Sequence, residues 1–171
     1  MLWLEELQNR KKISRIYNIY AQTFPEEERR SKEQFLALAK KADAYIFSIN
    51  DEDLRAGYCV IWELNNAHFL EHFEVFEEFR NRNLGSQILE IFNEKYPKLI
   101  LESEPANLSE IATRRISFYE RNGFSIIDEN YTQPSYGEGK PSINLWLMAN
   151  YTPENKTALI KDLYAVVYDQ N

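Results

Sequence analysis

The chain has 171 residues, a length that fits one domain with a substantial core. A formal net charge of −7, from 20 Lys plus Arg against 27 Asp plus Glu, argues against a general nucleic-acid-binding protein, because such proteins neutralise phosphates with excess basic side chains. One cysteine excludes an intramolecular disulfide framework, and no apolar stretch approaches the roughly 20 residues that span a bilayer, so we expect a cytoplasmic protein with no membrane partner.

Hydrophobic periodicity and turn residues divide the chain into helices and strands. In chain order they predict a helix at 10–22, a helix from near Ser31, strands at 44–49 and 57–64, a helix at 84–96, a strand at 99–101, a helix at 107–122, strands at 124–127 and 143–148, and a helix from Thr152. This order predicts one α/β domain at 1–150. Residues 151–171 are expected to pack on that domain or on a second subunit of a homodimer.

Several helix boundaries carry local signals. Asn107 and Glu110 resemble a capping box, Thr152 precedes a proline as a cap does, and Gly123 lies where a left-handed residue ends a helix. The last helix is expected to bury a stripe of three apolar residues, Leu159, Leu163 and Val166. Two further stretches are typical of irregular structure: the acidic-basic run 26–30 of a solvated loop or first turn, and 131–141 of a loop.

Residues 67–80 fit two different structures. As a helix they form a stripe of phenylalanines, and periodicity alone slightly favours that arrangement. As a strand ending at Val75, they place Glu71 on the same face as Phe69 and Phe73.

The same segment contains the pattern H-x-x-E-H at His68–His72, which is typical of zinc peptidases. That chemistry requires a helix, so that both imidazoles face one metal, and a third ligand. The chain has only two histidines, and the alternative is two ordinary polar residues of a strand. We therefore expect no metal site.

A basic, asparagine-rich segment precedes the predicted helix 84–96. It consists of Arg80, Asn81, Arg82, Asn83, Leu84, Gly85 and Ser86. A tight loop entering a helix presents unpaired N–H groups to an anion, and asparagine is second to glycine in tolerating positive φ. The same residues are also consistent with a basic first turn of a surface helix.

Two motifs, in this order, resemble those of the GNAT acetyltransferase superfamily. The segment RNRNLG at 80–85 resembles the acyl-coenzyme A loop, [RQ]-x-x-G-x-[GA], with Asn83 in place of the first glycine. The segment ISFYERNGF at 116–124 resembles the second hallmark, in which an aromatic residue and Tyr119 stand near a helix end before Gly-Phe. The resemblance covers roughly residues 44–149. It favours the strand over the zinc helix, and it implies a mixed, mostly antiparallel sheet of about six to seven strands flanked by helices.

The resemblance implies that the protein transfers an acetyl group from acetyl-coenzyme A to an amine of a small molecule or peptide, by direct attack in a ternary complex. It assigns the pyrophosphate to the whole segment from Arg80 to Ser86. It assigns the thioester to the backbone at Phe73 and Val75, with the Val75 N–H stabilising the oxyanion. The alternative is a regulatory protein of the same fold that binds acyl-coenzyme A without catalysis.

Two arginines in the second motif are further candidates for cofactor binding. Ala112 stands where the family often has an asparagine, so Arg114 or Arg115 is a candidate to pair with a phosphate instead. Ordinary salt bridging is the alternative for both side chains.

The resemblance supplies a candidate acid, and the residues themselves give a shortlist of candidate bases. Tyr119 matches the family tyrosine that protonates the departing sulfur, although a core tyrosine is the alternative. Glu71 is the first candidate for the base, because an apolar face raises a carboxyl pKa; its alternative is a structural carboxylate. His72 titrates near neutrality unaided, and Glu102, on the neighbouring strand, is placed to act through water.

The resemblance implies that the acceptor contacts an aromatic segment between the last two strands. That segment supplies Tyr131, Gln133 and Tyr136, and Glu102 is expected to face the same space.

Overall fold

Seven strands form one sheet in the computed structural model, which describes residues 1–170. They are β1 (Leu2–Glu6), β2 (Ala44–Asp51), β3 (Leu54–Glu63), β4 (His68–Val75), β5 (Leu99–Ser103), β6 (Ser125–Gln133) and β7 (Ile143–Ala149). The spatial order is β1-β2-β3-β4-β5-β7-β6, with β4 and β5 parallel and the other neighbours antiparallel. The predicted α/β fold with a mixed, mostly antiparallel sheet is confirmed.

Within residues 1–170, five α-helices flank this sheet. They are α1 (Arg10–Thr23), α2 (Lys32–Ala37), α3 (Leu84–Lys95), α4 (Glu110–Arg121) and α5 (Lys156–Tyr168). Ser31 caps α2 through a capping box with Gln34. The predicted starts of the last two helices are wrong: α4 is capped by Ser109, after a 3-10 turn that contains Asn107, and α5 is capped by Asn155.

The sheet carries one apolar cluster on each face. Helices α1, α2 and α5 pack on one face, and α3 and α4 pack on the other. Strand β3 serves both faces, since Tyr58, Val60 and Trp62 lie in the first cluster while Cys59 and Ile61 lie in the second. A central strand covered on both faces explains the continuous apolar run in this part of the sequence.

The sequence prediction misses one strand and misplaces an end of two others by three residues or more. Strand β1, which was not predicted, pairs with β2, and the indole of Trp3 donates to the carbonyl of Glu52 at 2.9 Å. Strand β3 begins at Leu54, so Gly57 lies inside it, where a Cβ would meet the Glu74 carbonyl oxygen at 2.2 Å. Strand β6 extends to Gln133, so the predicted loop 131–141 is too long at its start.

Helix α5 packs on its own chain. Leu163 and Val167 are buried in the cluster with α1 and α2, whereas Val166, predicted in the apolar stripe, is only partly buried. The carboxylate of Asp162 accepts from the backbone N–H of Asn65 at 2.8 Å. The final residue of the predicted segment 151–171 lies outside the described residues.

No helix within residues 1–170 is long and apolar enough to cross a membrane.

Candidate active site at the β4–β5 splay

The parallel strands β4 and β5 pair only at their beginnings. The paired residues are His68–Leu70 on β4 and Leu99–Leu101 on β5. Beyond them β5 continues against β7, with Glu102 opposite Leu147. Glu71 and Glu102 are therefore the first residues of the two strands after the point where they separate. The opening lies at the carboxyl ends of the two parallel strands, a common place for ligands in α/β sheets.

A β-bulge in β4 sets the direction of the side chains along the opening. His72 has a positive φ of 52°, and the register against β3 slips between Tyr58 and Val60. The extra residue lets Glu71 and His72 face the α1 side together, while Phe73 turns to the α3 side and packs against Phe92 with ring centroids 6.1 Å apart. The prediction that Glu71 and Phe73 share a face is therefore wrong.

The bulged strand also rules out the zinc helix. His68 packs against Tyr96, with ring centroids 4.6 Å apart, on the α3 side of the sheet. His72 packs against Tyr20 on the opposite side, with ring centroids 4.8 Å apart. Residues 1–170 contain no group of three His, Cys, Asp or Glu side chains that could hold a metal ion.

Glu71 is the centre of a buried polar network. Its carboxylate accepts from the Arg30 guanidinium, from the Trp62 indole and, at 3.0 Å, from the Tyr136 hydroxyl, and it lies 3.0 Å from His72 Nε2. Burial acts to raise the Glu71 pKa, but Arg30 and His72 outweigh it and lower that pKa to about 2. The expectation of a raised Glu71 pKa is wrong, because the predicted apolar face in fact contains a buried guanidinium.

His72 lies at the edge of this network. Its Nε2 atom is 3.2 Å from the Tyr136 hydroxyl and 3.3 Å from the Tyr20 hydroxyl. The ring also packs edge-on against Phe24, which follows α1. The imidazole therefore has polar partners on one side and aromatic rings around it.

Glu102 has a different environment on the neighbouring strand. Its carboxylate accepts from the hydroxyls of Tyr131 and Tyr168 and, at 2.7 Å, from the side-chain amide of Gln133. Burial raises the Glu102 pKa to about 7, although these three donors act in the opposite direction. A carboxyl with such a pKa can take up or release a proton near neutral pH.

The residues predicted to contact the acceptor divide between the two carboxylates. Tyr131 and Gln133 lie on β6 and bond to Glu102, whereas Tyr136 bonds to Glu71. Gln34 donates to the Tyr136 carbonyl at 2.7 Å, which fixes the segment after β6 against α2.

The loop before α3 has the backbone that its asparagines predicted. Asn81 and Asn83 have positive φ values of 61° and 59°. The first intrahelical bond of α3 joins the Gln87 N–H to the Asn83 carbonyl, so the N–H groups of residues 84–86 remain free of the helix ladder. Gly85 allows close packing here, since a Cβ would lie 3.0 Å from the Phe118 ring.

The two arginines of this loop have partners within the protein. Arg80 Nε donates to the carbonyl of Val75 at 3.0 Å, and Arg82 bonds to the carboxylate of Asp51 at 3.0 Å. Both guanidinium groups stay at the surface. A groove of about 470 Å³ begins at this loop and follows α3; its lining is Asn83, Ser86, Gln87, Glu90, Asn93, Glu94 and Asn122.

The α4 candidates lie on the same face as this loop. Tyr119 is 8% exposed between Phe118 and Phe124, and burial raises its pKa to about 12, with Arg115 acting in the opposite direction. Arg115 forms an exposed ion pair with Glu104 at 3.1 Å, and Arg114 is exposed.

Sequence reasoning missed three side chains at the opening. Ser103 on β5 is buried, and its hydroxyl has no hydrogen-bond partner within the described part of the chain. Arg30 is only 5% exposed, although the charged run 26–30 was interpreted as solvated. Tyr168 lies in α5, and the predicted apolar stripe of that helix does not include it. That stripe contains Val166 and gives no signal for Tyr168, and the charged run gives none for the burial of Arg30.

Comparisons with known proteins agree with this architecture. A family model described as an acetyltransferase (GNAT) domain matches residues 42–126. The structure is similar to a putative GNAT-family acetyltransferase from Bacteroides thetaiotaomicron, with a TM-score of 0.89, 26% identity and 99% of each chain covered. No curated protein sequence matches the chain.

Two more distant structures share the fold. The ribosomal-protein-S18-alanine N-acetyltransferase from Escherichia coli has 19% identity and a TM-score of 0.62, over 91% of this chain and 98% of the other. Arabidopsis thaliana NAA60, solved with acetyl-coenzyme A, has 12% identity and a TM-score of 0.64, over 87% and 97%. The family-model match, the full-length structural similarity and the β4–β5 splay together place this chain in the GNAT acetyltransferase superfamily.

Proposed function

We propose that this protein transfers an acetyl group from acetyl-coenzyme A to a primary amine of a small molecule or peptide. The observation that carries the proposal is Glu102, a carboxyl with a pKa of about 7 at the start of the β4–β5 splay. A carboxyl that titrates near neutral pH in an opening between two strands suits a general base. This observation favours catalysis over a purely regulatory protein.

The α3 side of the opening fits coenzyme A. The free N–H groups of residues 84–86 and the positive end of the α3 dipole suit a pyrophosphate, with the Ser86 hydroxyl beside them. The buried, unpartnered hydroxyl of Ser103 suits an amide of the pantetheine arm between the strands. Arg80 and Arg82 are at the surface near the same loop and supply positive charge, and Arg114 or Arg115 does so from α4.

The backbone of β4 offers a donor for the thioester oxygen. The Phe76 N–H is bonded to the Ala56 carbonyl of β3 at 2.8 Å. Because N–H groups alternate in direction along a strand, the Val75 N–H points away from β3, toward the splay. We assign to it the stabilisation of the oxyanion that forms during attack.

In the proposed step, the acceptor ammonium gives one proton to Glu102, and its nitrogen then bonds to the thioester carbonyl carbon. The C–S bond breaks, and sulfur leaves with the bonding pair and receives a proton from Tyr119. The second proton of the nitrogen passes through solvent to the Tyr119 phenolate, and Glu102 then releases its proton to solvent. Tyr119 is the proposed donor to the sulfur, because its hydroxyl stays protonated throughout the physiological pH range. Glu71 is already ionised and fully hydrogen-bonded, so we assign it to positioning Arg30, His72 and Tyr136.

Free-thiol release tests this function. The protein is incubated with acetyl-coenzyme A and a panel of small primary amines and of peptides with free α- or ε-amines, and acylated products are identified by mass. We expect amine-dependent release of thiol in equal amount to the acylated product. Binding of coenzyme A with no thiol release for any amine would instead support the regulatory alternative.

A further inference from the structure

The last turn of α5 is connected to both carboxylates at the strand opening. The hydroxyl of Tyr168 donates to Glu102, at 2.8 Å from one carboxylate oxygen and 2.9 Å from the other. The carbonyl of Val167 accepts from Arg30 at 3.0 Å, and the same guanidinium bonds to Glu71. Two consecutive residues of one helix turn thus contact the polar networks of β4 and β5.

We propose that Tyr168 is a positioning residue for acetyl transfer, and that it holds the carboxylate of Glu102 in its charged, proton-accepting form. The inference rests on the proposed function, in which Glu102 is the base. It makes the last turn of α5 a functional part of the site rather than an appendage that only covers the sheet.

Packing of the ring and contacts at the end of α5 hold the Tyr168 hydroxyl in place. The ring is 8% exposed and packs against Tyr136, with ring centroids 5.5 Å apart. The preceding Val167 is buried in the core, and Asp169 ends the helix in a left-handed conformation, φ 52°. Asp169 also forms an ion pair with Lys41 at 3.3 Å. A hydroxyl held in this way can bond to Glu102 with little further loss of conformational entropy.

The charged form of Glu102 depends on each hydrogen-bond donor around its carboxylate. The titratable or charged groups that act on the Glu102 charge are Tyr131 from β6, Tyr168 from α5 and Glu71 from β4. The hydroxyls of Tyr136 and Tyr164 lie in the same region, but they donate to Glu71 and to the Thr132 carbonyl instead. Gln133 supplies a neutral donor. No cation bonds to Glu102 within residues 1–170, since Arg30 bonds to Glu71 instead. Neutral donors alone therefore stabilise the charged carboxylate against burial and the neighbouring negative charge.

The test is the pH dependence of kcat/KM in Tyr168→Phe, which removes the hydroxyl and keeps the ring. Loss of one hydrogen bond to a charged carboxylate should raise the Glu102 pKa by at least about one unit. We expect the acidic limb of the profile to move up by about one pH unit. Activity should fall roughly fivefold at pH 7 and approach the wild-type value near pH 9.

Tyr164→Phe is the matched control, because it removes a hydroxyl from the preceding turn of the same helix. That hydroxyl donates to the Thr132 carbonyl and not to Glu102. We expect the acidic limb of this variant to coincide with that of the wild type. A purely structural role of Tyr168 would lower activity equally at every pH and leave the limb in place, and that result would overturn the inference.

Two further measurements separate this inference from the proposed function. If Glu102→Gln keeps full activity, the proposed base is wrong. If Glu102→Gln is inactive but the acidic limb of the kcat/KM profile of Tyr168→Phe coincides with that of the wild type, only the role of Tyr168 is wrong. Urea unfolding gives a readout that is independent of turnover. Because the Glu102 pKa is higher in the folded protein than in the unfolded chain, the free energy of unfolding should fall as pH rises from about 4.5 to 7. In Tyr168→Phe this fall should continue to a pH about one unit higher.

Discussion

Glu71 and Glu102 stand at the same level of two neighbouring parallel strands, yet one carboxyl has a pKa of about 2 and the other of about 7. Glu71 is buried and Glu102 is partly buried, so burial alone would give Glu71 the higher pKa of the two. Glu71 has a guanidinium and an imidazole within bonding distance, whereas Glu102 has only neutral donors. In enzymes, two neighbouring carboxyls with widely different pKa values commonly have different roles in proton transfer.

Glu102→Gln should lower kcat by about 10²–10⁴-fold, since general base catalysis contributes about that much. The Kd for coenzyme A should change little, because Glu102 faces α5 and β6 rather than the α3 loop. Steady-state thiol release and calorimetric titration with coenzyme A measure the two quantities. Glu120→Gln, a change at an exposed position of α4, is the matched control and should retain wild-type kcat.

Arg30→Met should destabilise the protein by about 3–5 kcal/mol, because it leaves the charge of Glu71 buried without its partner. Urea unfolding at pH 7 measures the loss, and the double variant Arg30→Met/Glu71→Gln should recover part of it. Arg115→Met provides the control: it breaks an exposed ion pair and should cost at most about 1 kcal/mol. Equal instability of the single and double variants would contradict the argument.

The same pair gives a prediction about acid. The Glu71 pKa is about 2 in the folded protein and near 4.5 in the unfolded chain, so its stabilisation is complete above about pH 4.5 and is lost as pH falls toward 2. Arg30→Met removes the main cause of the lowered pKa. The stability difference between wild type and Arg30→Met should therefore narrow as pH is lowered below about 4.5, which acid-dependent urea unfolding can follow.

Local patterns in the sequence predicted most of the helices and strands and the backbone of the loop before α3. The spacing of Leu84, Ile88 and Phe92 predicts α3 because one face of that helix packs on the sheet. The positive φ of Asn83 was predictable since few residues other than glycine tolerate it. By contrast, the strand pattern around His72 gives no sign of the positive φ that creates the bulge in β4.

The parts of the site that were not predictable depend on contacts between distant residues. Arg30 stands in a charged run of a kind usually solvated, and its burial requires Glu71 and the carbonyl of Val167 from two other elements. The pKa of Glu71 follows from that guanidinium and not from its own strand neighbours. Tyr168 reaches Glu102 only because α5 folds back across the sheet.

Asn83→Gly and Asn83→Ala should behave differently. Asn83 has φ 59°, a conformation that costs a non-glycine side chain without a polar group about 1–2 kcal/mol. We expect Asn83→Ala to lose about 1 kcal/mol of stability and to bind coenzyme A roughly fivefold more weakly, because the loop no longer holds its N–H groups in place. Asn83→Gly should match the wild type in both urea unfolding and calorimetric titration; identical behaviour of the two variants would show that the backbone conformation is not what matters.

Tyr119→Phe should separate turnover from binding. The ring packs between Phe118 and Phe124, and phenylalanine preserves that packing, so stability and the Kd for coenzyme A should change little. If the hydroxyl protonates the departing sulfur, kcat should fall by about 10²-fold or more. Tyr45→Phe, which removes a hydroxyl bonded only to the Ala42 carbonyl on the far side of β3, is the control and should keep full activity. Equal losses of kcat and coenzyme A affinity in Tyr119→Phe would instead assign Tyr119 to the core, because a packing defect at α4 disturbs binding and turnover together.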